Sequence, residues 1–480
     1  MAALLLLLAL MQSPETAEKI RRAGDMMQAG RAAEAIPLYR ELAAEYPGVP
    51  SFGINLAVAQ YKAGLYQDAI AQCQALIRLR PDIFPAWLFL GASLTELGQP
   101  AAAVEPLKKA VELQPEDRNA RVMLAGALLD SGRPAEAAAE YEEAAKRLPE
   151  SPRVVYGLAR SYEAVAAGLS EQAQGAEAAA LAAALELERG RYARAFELYR
   201  KALAASPAFP GAHAAIAAIY EKTGRADWAA AERDKEPPAE SAAQVSELYT
   251  KTLECRERSR KAYDKLAALG PSRERFEAEA RRQEASALYP QAAAAWKQAL
   301  ALAPGDARIG REYALALCHA NDCASALPVI KGLLGRKPGS AELNYLYGLA
   351  LSDTREFHEA LRYLETAVKL DAKLLAARAA LGQAYLEAGQ PANAVEQLEA
   401  AIAEDEDGSR HYQLARAYQA SGRPDKAAAV LRDYREILKR REAAGKAEPQ
   451  ITPPQAPATT PAAPAASSAR ARAARSEIPS

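Results

Sequence analysis

Histidine and cysteine are the residue types with which this chain could bind a metal or form a disulfide. Its four histidines form neither an H-x-x-x-H nor an H-E-x-x-H pattern: His213, His319, His358 and His411. Cys318 and Cys323 flank His319, but a zinc site needs about four ligands, and no second pair lies at a suitable spacing. We predict no metal and no cofactor, and interpret the two cysteines as small residues packed at a turn. A metal-ligand pair or a disulfide are the alternatives.

Sequence motifs of nucleotide and acyl-transfer sites are missing as well: the chain contains no P-loop, no G-x-G-x-x-G and no G-x-S-x-G. Its 60 Lys and Arg residues balance 61 Asp and Glu residues, whereas a nucleic-acid-binding protein carries a basic excess. The basic run from Arg256 to Lys261 is interrupted by Glu257, which is typical of a solvated helix face. We therefore predict that the protein is not an enzyme and that its partners are not nucleic acids.

A period of 34 residues runs through the chain. Four prolines, four glycines and four alanines recur with this step: Pro47, Pro81, Pro115, Pro149; Gly30, Gly64, Gly98, Gly132; Ala35, Ala69, Ala103 and Ala137. In the unit over 84–116, Trp87, Leu90 and Leu94 share one helical face with Gly91. A second helix follows and ends at Pro115, because proline cannot continue it. The period predicts helix-turn-helix units whose helices meet at small residues.

The stretch from Trp87 to Pro115 resembles the tetratricopeptide repeat (TPR), which places Trp or Leu, Leu-Gly, a turn Gly, Ala and a final Pro over 34 residues. Matches in the same phase cover most of residues 16–440, as in a multi-repeat array of the bacterial type. The resemblance implies an all-α fold in which the repeats stack into a right-handed α-solenoid. It also implies that the concave groove, lined by the first helix of each repeat, binds segments of protein or peptide partners.

The repeat phase predicts which side chains line this groove. They are mainly apolar in the N-terminal part, and polar or aromatic in the C-terminal part: Ile54, Val58, Tyr61, Leu88, Phe89, Val122, Met123, Leu129; Arg308, Arg311, Tyr345, Leu346, Tyr412, Gln413 and Arg416. Some TPR proteins hold a C-terminal carboxylate with Lys and Asn, but here only Asn55 has a matching position. We predict that partners bind the apolar residues. The alternative is that the chain covers them itself, for example with its Pro/Ala-rich tail.

Two stretches depart from the period. Pro149 and Pro207 are 58 residues apart, and Pro207 and Pro304 are 97 apart. An apolar helix near 152–168 lacks its ordinary partner, and a charged segment follows the break at 237–238. We predict an N-terminal array over 14–235 with an atypical unit near 152–190. A C-terminal array over 236–440 would then contain an atypical long helix near 239–269.

The two ends differ from the array. Residues 2–11 are apolar, too few for the roughly 20 that span a membrane and typical of the core of a signal peptide. We predict a signal segment over 1–13, export to the periplasm and no membrane span; the alternatives are a cytoplasmic protein or a start further upstream. Residues 441–480, rich in Pro and Ala, predict a disordered tail.

The function that these features favour is that of a non-enzymatic protein-interaction scaffold. For an exported scaffold, cell-envelope assembly or secretion is the process we expect. An accessory or regulatory subunit of an enzyme complex is the alternative.

Overall fold

The fold was described from a computed structural model, which covers residues 14–446 and 451–454. Within these ranges it consists of α-helices and turns, without a strand, so the predicted all-α fold is confirmed. The predicted signal segment over 1–13 and most of the predicted tail lie outside the described residues. Among the residues that are described, no helix is both long and apolar enough to cross a membrane.

The described residues form twenty-four successive α-helices, and a short 3-10 helix (Ile402–Glu404) follows the twenty-second. In chain order they are α1 (Pro14–Gln28), α2 (Ala32–Glu45), α3 (Pro50–Lys62), α4 (Tyr66–Leu79), α5 (Phe84–Glu96), α6 (Pro100–Leu113), α7 (Arg118–Asp130), α8 (Pro134–Arg147), α9 (Pro152–Gln172), α10 (Gly175–Glu188), α11 (Tyr192–Ala205), α12 (Ala212–Lys222), α13 (Ala226–Arg233), α14 (Glu247–Ala268), α15 (Arg273–Ala285), α16 (Tyr289–Leu302), α17 (Ala307–His319), α18 (Cys323–Arg336), α19 (Ala341–Asp353), α20 (Phe357–Leu370), α21 (Leu375–Glu387), α22 (Pro391–Ala401), α23 (Ser409–Ala420) and α24 (Pro424–Lys446).

The turn inside most of these helix pairs contains a residue with left-handed backbone. The glycines of the 34-residue period take this place with φ of 74–78°: Gly30, Gly64, Gly98 and Gly132. Glycine adopts such angles without a Cβ clash. Ala287, Asn321 and Arg355 hold the same place in three later pairs, with φ of 55–65°. The turn glycine is therefore replaced in the sequence of some repeats whose helix pair is still formed.

Other glycines allow the two helices of a pair to approach closely. A Cβ atom on Gly91 would lie 2.7 Å from Leu107 Cδ2, and one on Gly382 would lie 2.5 Å from Leu398 Cγ. Both distances are shorter than a van der Waals contact. The period predicts that the two helices of a unit meet at small residues, and the packing explains why only a small residue fits at these two positions.

We expect Gly91→Ala to lower the free energy of unfolding of its repeat by about 1–3 kcal/mol, because the new methyl group overpacks against Leu107. Gly126 is the matched control, since a Cβ there meets only Tyr141 Oη, at 3.6 Å. Gly126→Ala should cost nothing and gain up to about 1 kcal/mol of helix propensity. Denaturant midpoints of both variants test this; equal losses at the two positions would contradict the assigned packing.

The larger of two compact units is formed by residues 14–173 and 246–446. It contains ten packed helix pairs, each with a first and a second helix: α1/α2, α3/α4, α5/α6, α7/α8, α9/α14, α15/α16, α17/α18, α19/α20, α21/α22 and α23/α24. Nine of these pairs are consecutive in the chain. The pair α9/α14 is not, because residues 174–245 lie between its two helices.

Helix α14 completes the repeat that α9 begins. Its Leu266 packs with Val155 and Tyr156 of α9 in one buried cluster. The buried Ser259 hydroxyl donates to the backbone carbonyl of Ala159 at 2.9 Å. The apolar helix near 152–168 therefore has its partner in α14, a helix much later in the chain.

The smaller unit contains residues 174–245, together with residues 451–454. Its four helices form two further pairs, α10/α11 and α12/α13. At the start of α12, the Glu236 carboxylate accepts a hydrogen bond from the backbone N–H of Ala214 at 2.8 Å. His213 Nδ1 and Glu232 Oε1 lie 2.7 Å apart, so α13 is also tied to α12 by side chains. This unit amounts to two repeats inserted into the turn of one repeat.

The boundaries between the compact units differ from those that the period predicted. The division falls after residues 173 and 245, not at 235–236. The predicted atypical repeat near 152–190 crosses from the larger compact unit into the smaller one at residue 174. The long helix predicted near 239–269 is α14, which begins at Glu247. The predicted tail also begins later, because α24 continues to Lys446 through a run of good helix formers without proline.

Candidate protein-binding site

First helices form their own layer within the larger unit. Besides packing on its second helix, the first helix of a repeat contacts the first helix of the next repeat: α3 with α5, α5 with α7, α7 with α9, α9 with α15, α17 with α19, α19 with α21, and α21 with α23. Within the part of the chain that is described, no two second helices make comparable contact. The first helices of these repeats are therefore more closely spaced than the second helices.

Six predicted groove residues form a partly buried apolar surface on three of these helices. We call it the apolar stripe: Ile54, Val58 and Tyr61 on α3, Leu88 and Phe89 on α5, and Met123 on α7. The rings of Tyr61 and Phe89 meet edge to face with centroids 5.4 Å apart, which joins α3 to α5. Leu88 and Met123 pack against the same buried cluster, which joins α5 to α7. The stripe therefore spans three successive repeats.

The tyrosine in the stripe keeps its proton at physiological pH. Burial, with a smaller effect of the Glu96 carboxylate, raises the pKa of Tyr61 to about 12. Its ring also lies 5.7 Å from that of Tyr66, the first residue of the second helix α4. Tyr66 was not among the predicted groove residues, because the repeat phase selects first-helix positions only. The aromatic end of the stripe can therefore offer hydroxyl donors beside an apolar surface.

Two predicted groove residues lie in the core instead. Val122 is 5% exposed and packs with Ala125, Tyr141 and Val154. Leu346 is likewise buried, in the core around α16 to α21. Neighbouring residues on an α-helix point about 100° apart, and here Val122 turns into the core while Met123 stays partly exposed. Leu129 is partly buried against the cluster that also holds Leu128.

The C-terminal set of predicted groove residues is polar, and its charges are paired within the chain. Arg308 donates to Glu277 at 2.7 Å, and Arg311 donates to Glu342 at 2.8 Å. Arg416 donates to Glu387 at 3.2 Å. Because each of these guanidinium groups has a carboxylate partner, this part of the layer does not present a free anion site.

The remaining residues of that set are aromatic or amide side chains. Tyr345 is partly buried, which raises the pKa of its hydroxyl. Tyr412 is 47% exposed, with its ring centroid 5.7 Å from that of Tyr434. Gln413 accepts a hydrogen bond from Arg416 at 3.0 Å. No continuous apolar surface comparable to the stripe joins these side chains, and their predicted role in binding stays a prediction.

Cys318 and Cys323 form a disulfide across the turn between α17 and α18, with Cα atoms 4.3 Å apart. The interpretation of the two cysteines as small residues packed at a turn is therefore replaced by the disulfide, one of its two alternatives. Cys73 and Cys255 are buried free thiols. In residues 14–446 and 451–454, no group of three or more His, Cys, Asp or Glu residues is placed to hold a metal ion.

A family model of the tetratricopeptide repeat matches residues 26–91, 94–161, 186–251 and 351–414, more than half of the chain. The chain therefore belongs to the tetratricopeptide repeat family. No sequence among curated proteins matches it.

Several solved structures are similar to this chain. The human IFIT1 dimer with m7Gppp-AAAA is 16% identical over 90% of this chain and 84% of that one, with a TM-score of 0.38. Yeast Tom70 is 14% identical over 90% and 95% of the two chains, with a TM-score of 0.32. MamA from Desulfovibrio magneticus RS-1 is 20% identical over 35% of this chain and 97% of that one, with a TM-score of 0.32.

Proposed function

We propose that the apolar stripe binds a segment of a partner protein, and that the protein acts as a non-enzymatic interaction scaffold. The observation that supports this is a set of six partly exposed apolar side chains on three successive first helices. Clustered apolar side chains that stay partly in contact with water often mark an interaction site, since that contact costs free energy. The membership of the repeat family supports the same class of function.

The chemistry of the stripe defines the kind of segment that fits. Leu88, Phe89 and Met123 present large, flexible or aromatic side chains, and such surfaces accept apolar anchors. An amphipathic helix provides such anchors at positions i, i+3, i+4 and i+7. Tyr61 and the exposed Asn55 lie at the α3 end, where they can bond to backbone or polar groups of the segment. We therefore propose an amphipathic helical segment as the ligand.

Photocrosslinking in the native cell tests this proposal. A benzoylphenylalanine placed at position 89 should crosslink to one partner, through peptides that carry an amphipathic pattern. The same group at position 79 is the control, because Leu79 is an apolar residue that is 75% exposed on the second helix α4. Crosslinks to the same partner from both positions, or from position 79 alone, would contradict a binding site on the first helices.

We propose in addition that the protein works outside the cytoplasm. The apolar run at residues 2–11 and the disulfide between Cys318 and Cys323 support this, because disulfides persist in oxidising compartments. Cell-envelope assembly or secretion remains our prediction for the process.

Two measurements on protein isolated from its native cell test the location. N-terminal sequencing should begin at about residues 12–14, as expected for a cleaved signal segment. Alkylation of the denatured, unreduced protein should label Cys73 and Cys255 but neither Cys318 nor Cys323. An intact Met1 together with four reactive thiols would contradict export.

A further inference from the structure

The smaller unit ends on an aromatic cluster around Tyr220. Tyr220 lies near the end of α12, the first helix of the last pair in this unit, and its side chain is fully buried. Its ring centroid lies 5.7 Å from that of Phe196 and 5.5 Å from that of Trp228, the latter nearly perpendicular at 84°. One ring from each of α11, α12 and α13 therefore forms this cluster.

Residues 451–454, with the sequence Ile-Thr-Pro-Pro, lie on this unit. The Tyr220 hydroxyl donates a hydrogen bond to the backbone carbonyl of Thr452, with 2.6 Å between the oxygens. Ile451 and Pro454 are partly buried, whereas Thr452 and Pro453 are exposed. This segment is therefore bound to the unit through its backbone, and two of its four side chains are partly buried.

The spacing of the buried side chains fits a polyproline II segment. Such a helix has three residues per turn, so that residues i and i+3, the spacing of Ile451 and Pro454, lie on the same face. Thr452 precedes a proline and is therefore restricted to extended backbone. Two consecutive prolines also reduce the conformational entropy that the segment loses on binding. The sequence of the segment therefore favours an extended conformation in which one face can pack on the unit.

The donor role of Tyr220 holds at all physiological pH values. Burial, with a smaller effect of Glu232, raises the pKa of the Tyr220 phenol to about 12, so that the hydroxyl keeps its proton. The ring contacts with Phe196 and Trp228 fix its direction. The acceptor is the backbone carbonyl of Thr452, so the hydrogen bond does not depend on the side chain at that position.

We propose that the aromatic face of the smaller unit is a docking site for an extended, proline-containing segment, and that residues 451–454 of the same chain occupy it. This goes beyond the function proposed for the larger unit, where the apolar stripe lies on other helices. The Tyr220 hydroxyl recognises the backbone carbonyl before the first proline, and the face that carries Ile451 and Pro454 packs on the unit.

A peptide competition experiment on the full chain tests the proposal. The probe is a fluorescein-labelled peptide with the sequence of residues 448–457, and binding is measured by fluorescence anisotropy. Ile451→Asp should release the resident segment and increase the affinity for the probe at least tenfold over the unaltered chain. Ile478→Asp is the matched control, the same substitution elsewhere in the tail, and should bind the probe as weakly as the unaltered chain.

A second substitution tests the hydrogen bond. Tyr220→Phe, introduced into the Ile451→Asp chain, keeps the ring packing and should weaken probe binding about 2- to 10-fold, the effect of one lost hydrogen bond. Circular dichroism checks that this variant keeps its helices. Affinities within threefold of one another for the unaltered, Ile451→Asp and Ile478→Asp chains would overturn the proposal, as would an unchanged affinity after Tyr220→Phe. Photocrosslinking from position 89 should be unaffected by Ile451→Asp, so the two proposals can fail separately.

Discussion

Replacing Leu266 by alanine is expected to lower the free energy that opens α9 and α14 by about 2–5 kcal/mol, the cost of truncating a buried leucine. Leu266 is 1% exposed and packs with Val155 and Tyr156 across the split repeat. A long repeat array does not unfold in one two-state step, so denaturant midpoints rank its variants, while the free energy of one repeat needs a local measurement. Hydrogen exchange of peptides from α9 and α14, followed by mass spectrometry, gives this local free energy.

Leu253 provides the control on the same helix. Its side chain is 37% exposed, so Leu253→Ala should change the same free energy by about 0.5 kcal/mol or less. If both substitutions had equal effects, or if α9 kept its protection after Leu266→Ala, then α14 would not be the second helix of that repeat.

The double variant Phe89→Ala and Met123→Ala is expected to reduce partner capture about 30-fold, the effect of losing about 2 kcal/mol at an apolar binding site. Both side chains are partly buried, so we expect a moderate loss of stability of about 1–2 kcal/mol for each. Capture yields and denaturant midpoints should be measured on the same preparations.

Leu79→Ala is the matched variant for this comparison, since it removes an equally apolar side chain from a second helix. It should leave both partner capture and stability nearly unchanged. A large loss of stability with unchanged capture in the double variant would show that Phe89 and Met123 belong to the core and not to a binding surface.

Much of the fold could be predicted because its determinants are local. Gly91 and Leu107 belong to the same repeat, so their close contact leaves a trace at a fixed spacing in the sequence. The left-handed backbone at the turn favours glycine, and Gly98 is a second such trace in the sequence. Where Asn321 or Arg355 takes the turn position, the pattern weakens, but the apolar faces of the flanking helices still define the repeat.

The pairing of α9 with α14 could not be predicted, because a repeat period describes only neighbouring segments. The buried faces of both helices are visible in the sequence, but nothing in the spacing shows that Ser259 meets the carbonyl of Ala159. The contact of Thr452 with Tyr220 is hidden for another reason. It uses a backbone carbonyl, which every residue has, so the tail appeared only as a stretch without a core.

The predicted binding surface stays a prediction, but the structure corrects some of its residues. Six of the predicted apolar positions on first helices are partly exposed and form the stripe. The repeat phase failed at Val122, where one position along the helix separates the stripe from the core. The Tyr66 ring joined the stripe from a second helix, which a first-helix rule cannot anticipate.

Hydrogen exchange is the most direct test of whether partners bind the first helices of the larger unit. The full chain should be compared alone and saturated with the partner that crosslinks to position 89. We expect slower exchange in α3, α5 and α7, which carry the apolar stripe, and unchanged exchange in α20 and α22. Slower exchange confined to second helices such as α4 and α6, with α3, α5 and α7 unchanged, would contradict binding at the first helices.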